Sequence, residues 1–321
     1  STTLRMIAGL EEISDGELWI DDKMVNDVAV MIPIAKIETR SKPYDRIPTI
    51  AYFEPVHGLG FIPTEYVDIT GIADYQGLIS KLEPQDEILI CGGDGTLNRF
   101  VNAIADFNID NAVYYYATGS GNDFLRDIGK TVDDGPIKID EYIKNLPVVE
   151  VNGESFRFIN GVGYGIDGYC CEVGEKLREK GKKPNYTSIA IKGLLFHHKP
   201  ANATVTVDGK KYSYRRVWIA PTMHGRYYGG GMMAAPDQQR NQPEKGITVM
   251  LMHKAGRLRT LTTFPSIFSG KHVTHMKTVA VHRGHDITVE FDRPTTLQID
   301  GEVMLNVKKY RARSKVLAKA K

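Results

Sequence analysis

Apolar and polar residues follow two different patterns along the chain, and the change falls near residue 136. Between residues 87 and 128, short apolar runs lead into glycine-rich loops and then into apolar residues at helical spacing. After residue 136 strand-like segments dominate, since residues 203–214 resemble a hairpin with an Asp-Gly turn and residues 286–291 alternate at strand period. The pattern predicts an α/β domain and a β-rich second domain, with residues 172–196 as the main helical interruption.

The first glycine-rich loop, Gly92-Gly93-Asp94-Gly95-Thr96, follows the apolar run Ile88–Cys91. Leu97, Val101 and Ile104 then recur at helical spacing, which predicts a helix that begins beside the loop. Glycines let backbone N–H groups approach an anion, and a helix N-terminus adds its positive dipole end. The loop is therefore a candidate phosphate site, although an ordinary turn explains Gly-Gly-Asp-Gly as well.

A second loop, Gly119-Ser120-Gly121-Asn122-Asp123, follows the strand-like run Val113–Ala117. Successive β-α units of this kind form parallel sheets, and their ligands lie at the carboxyl ends of the strands. We therefore expect the two loops to lie side by side. Neither loop has the spacing of a P-loop or of a dinucleotide-binding fingerprint.

Five motifs in a fixed order resemble those of the bacterial diacylglycerol kinase-like lipid kinases. The resemblance covers about residues 48–315, and its motifs are Gly92–Asn98, Gly119–Phe124, Asn160–Asp167, Tyr228–Met232 and Asp300-Gly301-Glu302. It implies an α/β nucleotide-binding domain of the NAD kinase/diacylglycerol kinase type and a β-sandwich-like second domain, with ATP and a lipid meeting between them. NAD kinases share Gly-Gly-Asp-Gly, so an NAD kinase-like small-molecule kinase is an alternative, as is a non-catalytic nucleotide- or lipid-binding descendant.

The resemblance also implies roles for single residues in a transfer that uses ATP and Mg²⁺. Glu302 matches the general base, with Asp300 beside it and Asp94 as the acid of the glycine loop. Without the resemblance, Asp300-Gly301-Glu302 is most simply a hairpin turn. The positions implied in nucleotide binding are Gly92, Gly93, Asp94, Gly95, Thr96, Asn98, Thr70, Gly119, Ser120, Asn122 and Asp123.

The chain departs from the family pattern in its first unit. Glu54 stands where asparagine is expected, and a carboxylate that faces phosphates would weaken nucleotide binding. The stretch between Gly60 and Val67 is too short for the family's first helix. The usual acidic pair of a structural Mg²⁺ site is absent from residues 241–246, so no metal ligand is assigned.

The first residues of the chain belong to a different pattern. Residues 1–28 resemble a fragment of the ATPase subunit of ABC sugar importers without its phosphate-binding glycines and lysine. We interpret residues 29–47 as a linker, 48–135 as the nucleotide-binding domain, 136–308 as the lipid-substrate domain, and 309–321 as a segment that could return to the first domain.

Composition indicates the binding partners and the location of the protein rather than the reaction that it catalyses. A net charge of +2 gives no indication of nucleic acid, and three cysteines without ligand spacing favour a reducing cytoplasm. No apolar run is long enough to span a membrane and no signal peptide precedes the first domain. Basic residues at 176–183 beside the apolar run 189–196 suggest peripheral contact with the membrane that holds a lipid substrate, or else a solvated helix face. A homodimer is left open.

Overall fold

The computed structural model describes residues 19–20, 23–24, 49–56, 60–68, 74–83, 85–119, 121–182 and 184–315. The fragment at the start of the chain contributes strands β1 (Trp19–Ile20) and β2 (Lys23–Met24), which pair with each other. The predicted linker, Thr70 and Ser120 lie outside the described residues.

The first lobe, residues 49–146, is built on a five-stranded sheet in the order β4-β3-β5-β6-β7. Strands β5 and β6 are parallel, with Gly92 opposite Ala117, as the two β-α units predict. The strands are β3 (Thr49–Val56), β4 (Gly60–Asp68), β5 (Glu87–Gly92), β6 (Ala112–Ala117) and β7 (Ile137–Lys138). The helices are α1 (Tyr75–Ile79), α2 (Asp94–Ala103), α3 (Asp123–Asp127), the 3₁₀ turn Val132–Asp134, and α4 (Asp140–Ile143).

The core of the first lobe extends further along the chain than the predicted boundary at residue 135. Helix α2 buries Leu97, Phe100 and Val101, which share one helix face at i, i+3 and i+4, in the same cluster as residues of β5 and β6. Ile143 and Leu146 belong to this cluster too. The strand that begins at Val148 belongs to the second sheet, while Ile159 still packs in this cluster.

The first two strands of this lobe form an antiparallel hairpin, with Val56 opposite Gly60. The stretch between Gly60 and Val67, predicted to be too short for the family's first helix, lies within strand β4. Strand β3 is also antiparallel to β5, with Thr49 opposite Cys91 and Phe53 opposite Glu87. In this pairing the backbone of Glu54 lies toward the Glu87 end of β5 and away from Gly92.

The second lobe, residues 147–315, contains a ten-stranded antiparallel sheet. Its strands are β8 (Val148–Val151), β9 (Glu154–Arg157), β10 (Gly161–Tyr164), β11 (Ala201–Val207), β12 (Lys210–Val217), β13 (Thr222–Met223), β14 (Ile247–Met252), β15 (Val279–Gly284), β16 (Asp286–Ile299) and β17 (Glu302–Arg313). The order is β15-β14-β13-β10-β16-β17-β8-β9, with β11 and β12 added on β16.

One apolar cluster unites strands that are far apart in this order, since Val149 of β8, Val249 of β14 and Val289 of β16 all belong to it. The sheet is therefore folded over a single core, which agrees with the predicted sandwich-like lobe. Strand β16 permits this fold because its register shifts between Glu290 and Thr295, so that its first half pairs with β11 and its second half with β10. The predicted hairpin at 203–214 is confirmed, with Asp208 and Gly209 at positive φ in the turn.

Helices of the second lobe cover one part of the sheet. They are α5 (Ile166–Glu179), α6 (Tyr186–Lys192), a π-helical turn (Gly193–His197) and α7 (Arg257–Thr263), together with 3₁₀ turns at Pro243–Lys245, Phe264–Ile267 and Lys271–Thr274. Within the described residues, every helix is too short or too polar to cross a membrane. Residues 310–313 of β17 pair with β8, and beyond them the Lys315 Nζ donates to the Lys144 carbonyl of the first lobe at 3.5 Å; residues 316–321 lie outside the described part of the chain.

Candidate active site

The two glycine loops touch at the carboxyl ends of β5 and β6, where the sequence places them. A Cβ on Gly119 would lie 2.6 Å from the Gly93 Cα, and one on Gly92 would lie 2.4 Å from the Thr96 Oγ1, so neither position has room for a side chain. The Thr118 N–H donates to the Gly92 carbonyl at 2.8 Å and holds the loops together. Helix α2 begins directly after Gly93, so its unpaired N-terminal N–H groups lie at the junction of the two loops.

Asp94, the acid of the first loop, stabilises this arrangement with both of its carboxylate oxygens. Its Oδ1 accepts from the Phe124 N–H at 2.9 Å and from the Asn160 Nδ2 at 3.0 Å, and its Oδ2 accepts from the Asp123 N–H at 3.0 Å. The carboxylate thus joins the first loop to the second and to Asn160, directly before β10 of the second lobe. Both oxygens face N–H donors.

Asp123, in the second loop, makes the next connection between the lobes. Its two oxygens accept from the N–H groups of Gly230 and Gly231, each at 2.7 Å. Burial, with a further contribution from Asp94, raises the pKa of Asp123 to about 6, against the opposing effect of these donors. The Tyr228–Met232 motif therefore serves as a docking point for the second glycine loop. In that loop Asn122 adopts a left-handed φ of 50°, and its buried Oδ1 has no hydrogen-bond partner among the residues that the structure describes.

Asp300 occupies a turn, as the simplest interpretation of the sequence predicts, yet its side chain is buried. Asp300 and Gly301 have positive φ values of 47° and 101° and connect β16 to β17. The carboxylate accepts from the backbone N–H groups of residues 159, 160 and 161 at 2.5–2.9 Å and from the Asn98 Nδ2 at 2.8 Å. Burial, with Asp94 adding to it, raises the pKa of Asp300 to about 6, although the backbone donors favour the ionised form.

Asn98 is therefore turned toward the second lobe. Its amide donates to the Arg157 carbonyl at 3.0 Å as well as to Asp300, and its side chain is buried. The resemblance implies a contact with phosphate at this position, whereas the observed contacts hold the two lobes together. The other implied loop residues that the structure describes lie at the junction of the two loops.

Glu302 follows the turn and reaches the first turn of α2. Its Oε1 accepts from the Nε and Nη2 of Arg99 at 2.9 and 2.8 Å, and a Cβ on Gly95 would lie 3.9 Å from the same oxygen. Its side chain is 43% exposed. Within the described residues, the second carboxylate oxygen has no hydrogen bond.

Two buried acids of the site were assigned no role by the sequence analysis. Asp127 accepts from Arg226 at 2.9 Å and from Arg240 at 2.5 Å, and Arg240 also donates to the Asn160 Oδ1 at 2.9 Å. Burial alone would raise the pKa of Asp127, but Arg240 and the hydrogen bonds from Arg226 hold it below its ordinary value. These partners are 99 and 113 residues from Asp127, so no local pattern reveals them.

Asp167, at the start of α5, is the other acid that sequence reasoning missed. Its Oδ2 accepts from the Tyr228 hydroxyl at 3.2 Å, and its Oδ1 has no hydrogen-bond partner in the described part of the chain. Burial raises the pKa of Asp167 to about 6. The residue belongs to the Asn160–Asp167 motif, which is the only sequence signal that includes it.

The comparisons with known proteins agree with this arrangement. Residues 49–148 match the diacylglycerol kinase catalytic domain, and residues 160–316 match the YegS C-terminal NAD kinase beta sandwich-like domain. The chain belongs to the bacterial diacylglycerol kinase-like lipid kinase family. It is therefore a phosphotransferase with an α/β nucleotide-binding lobe and a β-sandwich-like lobe, as the resemblance implies.

Individual relatives are distant. The chain is 26% identical over 235 residues to the Bacillus subtilis protein named "Putative lipid kinase YtlR", with 68% of this chain and 74% of that protein covered. It is 24% identical over 246 residues to the diacylglycerol kinase of the same organism, with 74% and 78% covered. In fold it is similar to the crystal structure of a "putative diacylglycerol kinase" from Bacillus anthracis, with a TM-score of 0.54 at 18% identity over 74% of this chain and 76% of that one.

The raised pKa of Asp167 predicts how its substitution depends on pH. Because the folded state binds this proton more tightly than the unfolded state, Asp167 lowers the free energy of unfolding as pH rises from 4 to about 6. The Asp167→Asn variant does not lose stability in this way, because asparagine has no carboxyl group to titrate. Its free energy of unfolding relative to the wild type should therefore rise by about 2 kcal/mol between pH 4 and pH 7.

Urea unfolding of both proteins at the two pH values measures this difference. All other titrating groups are common to both proteins and cancel to first order. The exposed Asp110→Asn variant is the matched control, and its difference from the wild type should not follow this course. A pH-independent difference for Asp167→Asn would contradict the assignment.

Proposed function

We propose that this kinase transfers the γ-phosphoryl group of ATP to a hydroxyl of a diacylglycerol-like lipid, with Glu302 as the general base. One observation carries the proposal: Glu302 reaches the first turn of α2 beside Gly95, next to the two glycine loops, with one oxygen free. A base at that place can take a proton from a hydroxyl that lies in line with a phosphate on the loops.

The glycine loops fit the phosphates of a nucleotide. The close approach of Gly93 and Gly119 leaves backbone rather than side chains at the loop surface, and the ten-residue helix α2 begins there. Backbone N–H groups and a helix N-terminus stabilise negative charge without a counter-ion that must be displaced. The chain thus supplies alignment and neutralisation, which phosphoryl transfer chiefly requires.

The acids of the site fit a metal that is carried by the nucleotide. Asp94, Asp123 and Asp300 have both oxygens engaged by N–H donors, and no group of three His, Cys, Asp or Glu side chains in the described part of the chain is arranged to hold a metal. Mg²⁺ commonly retains waters and binds through substrate phosphates, where it neutralises the charge of the transferred group. Asp94 and Asp123 then contribute by fixing the loops.

The lipid acceptor is supported by the relatives rather than by a pocket. Two Bacillus subtilis relatives carry the names of a lipid kinase and a diacylglycerol kinase. The partly exposed side chain of Glu302, which contacts Arg99 of the other lobe, suits a hydroxyl that is presented from outside the protein.

Replacing the base separates catalysis from binding. Glu302→Gln preserves shape but cannot accept the proton, so kcat with diacylglycerol should fall by roughly 10² to 10⁴ while the affinity for Mg·ATP stays near the wild-type value. Turnover is measured with labelled ATP and diacylglycerol, and in parallel with NAD as the competing acceptor. Calorimetry measures the affinity for Mg·ATP. Glu154→Gln, an exposed acid of β9, is the control. Turnover within about threefold of the wild type would remove Glu302 from the mechanism, and faster turnover of NAD would exclude the lipid acceptor.

Arg99 should act by positioning the base. It contacts only one oxygen of Glu302, and because both side chains are largely exposed, the pair adds little stability. Arg99→Gln should lower kcat about tenfold with little change in the KM for ATP, and Arg99→Lys should recover part of the loss because it keeps the charge without the planar fork. In the Glu302→Gln background, Arg99→Gln should have no further effect on kcat.

Steady-state kinetics of the four proteins of this cycle measure the coupling, with the exposed Arg215→Gln as the matched control. Additive losses, or a rise in the KM for ATP alone, would show that Arg99 acts on the nucleotide instead of on Glu302.

Asp94→Asn should abolish turnover and weaken Mg·ATP binding. The Nδ2 of the new amide would face at least one of the three N–H donors that Asp94 binds. Each buried donor that is left unpaired costs about 1–3 kcal/mol. Calorimetric titration with Mg·ATP tests this, with Asp106→Asn at an exposed site of the same lobe as control. Unchanged affinity and turnover would remove the first loop from the nucleotide site.

A further inference from the structure

Two long segments of the second lobe contain basic but no acidic residues. Residues 180–207 include five lysines and residues 254–285 include six lysines or arginines, and neither segment contains Asp or Glu. The first comprises α6 and the π-helical turn, and the second comprises α7 and the 3₁₀ turns that follow. Such a separation of charge is unusual in a chain whose net charge is only +2.

The fold brings these segments together. The Arg257 Nη1, at the start of α7, donates to the Leu194 carbonyl of the π-helical turn at 2.6 Å, and its guanidinium lies 5.4 Å from the centre of the Trp218 ring. Arg293 donates to the Lys199 carbonyl just beyond that turn. Cations from three separate parts of the chain therefore meet around the π-helical turn.

Large apolar side chains project from the same place. Phe196 is 71% exposed and Leu258, next to Arg257, is 75% exposed. Ile191 lies one turn before on α6, and Phe268 and Met276 are exposed further along the second segment. Apolar side chains surrounded by cations are the signature of a surface that enters the interface of an anionic bilayer.

We infer that this docking surface, formed by Phe196, Leu258, Lys192, Lys199, Arg257 and Arg259, binds anionic phospholipid membranes. A second copy of the same surface would bring like charges together, and nucleic acid gains nothing from an exposed leucine. The inference deepens the proposed function and rests on it for its purpose, because a bilayer is the source of a diacylglycerol-like acceptor.

Helix α5 links the docking surface to the base. On one side Gly174 lies against the Tyr186 ring of α6, and Tyr169 lies 6.0 Å from the His198 ring beyond the π-helical turn. On the same helix, Glu302 adds to the burial that raises the pKa of Glu175 and of Cys171. Helix α5 therefore lies close both to the segment that carries the docking surface and to Glu302.

Vesicle co-sedimentation of the full chain, without ATP, tests the inference. Binding should be strong to phosphatidylcholine vesicles that contain phosphatidylglycerol, weak to phosphatidylcholine alone, and reduced by salt. Phe196→Ser/Leu258→Ser should weaken partition at least tenfold, because each buried methylene contributes about 0.8 kcal/mol. Arg259→Gln should weaken it about fivefold, which corresponds to about 1 kcal/mol for each basic residue near the membrane.

Leu305→Ser/Lys309→Gln, an exposed apolar and basic pair on β17, is the matched control and should bind as the wild type does. Equal binding by Phe196→Ser/Leu258→Ser and the wild type would overturn the inference. So would a dimer in sedimentation equilibrium that the same variant dissociates, or competition by duplex DNA at equal charge.

Activity distinguishes this inference from the proposed function. On diacylglycerol in anionic vesicles the docking variant should lose turnover at least tenfold, whereas on a short-chain diacylglycerol dispersed in detergent it should match the wild type. If vesicles are bound but neither form of lipid is phosphorylated, the docking surface stands and the proposed acceptor fails. If lipid is phosphorylated equally well without vesicle binding, the docking surface fails and the acceptor stands.

Discussion

Carboxylates that accept N–H groups at the junction of the two lobes are the interactions on which the rest of the structure depends. Asp94, Asp123 and Asp300 each accept at least two backbone N–H groups. Asp123 receives them from the other lobe, whereas Asp94 and Asp300 contact the other lobe through the side-chain amides of Asn160 and Asn98. Removing a carboxylate from water is costly, and the cost is compensated only while all of its donors are present. The loops, the turn at Asp300 and the position of Glu302 are therefore fixed together rather than one by one.

Local chemistry allowed much of the arrangement to be predicted. The apolar runs before each glycine loop indicated parallel strands, and the junction of Gly93 with Gly119 follows from that topology. The Asp300-Gly301 turn was predictable from residue type, since both adopt positive φ. The resemblance identified Asp94 and Glu302, but it gave no indication that both oxygens of Asp94 are engaged.

Other features depend on pairing at a distance. Arg99 and Glu302 are 203 residues apart, and Asp127 and Arg240 are 113 residues apart, so no periodicity relates them. The direction of β3 was also beyond the sequence pattern, because an apolar run indicates a buried strand without indicating which way it runs. The boundary after residue 146 reflects packing of Ile143 and Leu146, whereas the pattern of strands alone placed it earlier.

The segment Ile159–Gly161 has a consequence for exchanging parts between relatives. The Asp300 carboxylate accepts from its three consecutive backbone N–H groups. Asp94 accepts from the Asn160 side-chain amide, and Arg240 donates to the Ile159 carbonyl and to the Asn160 Oδ1. Side chains from both lobes thus bind to this one short stretch. A chimera that joins the first lobe of one family member to the second lobe of another must keep this stretch matched to the glycine loop and the Asp300 turn, or the two halves will fold without assembling a catalytic cleft.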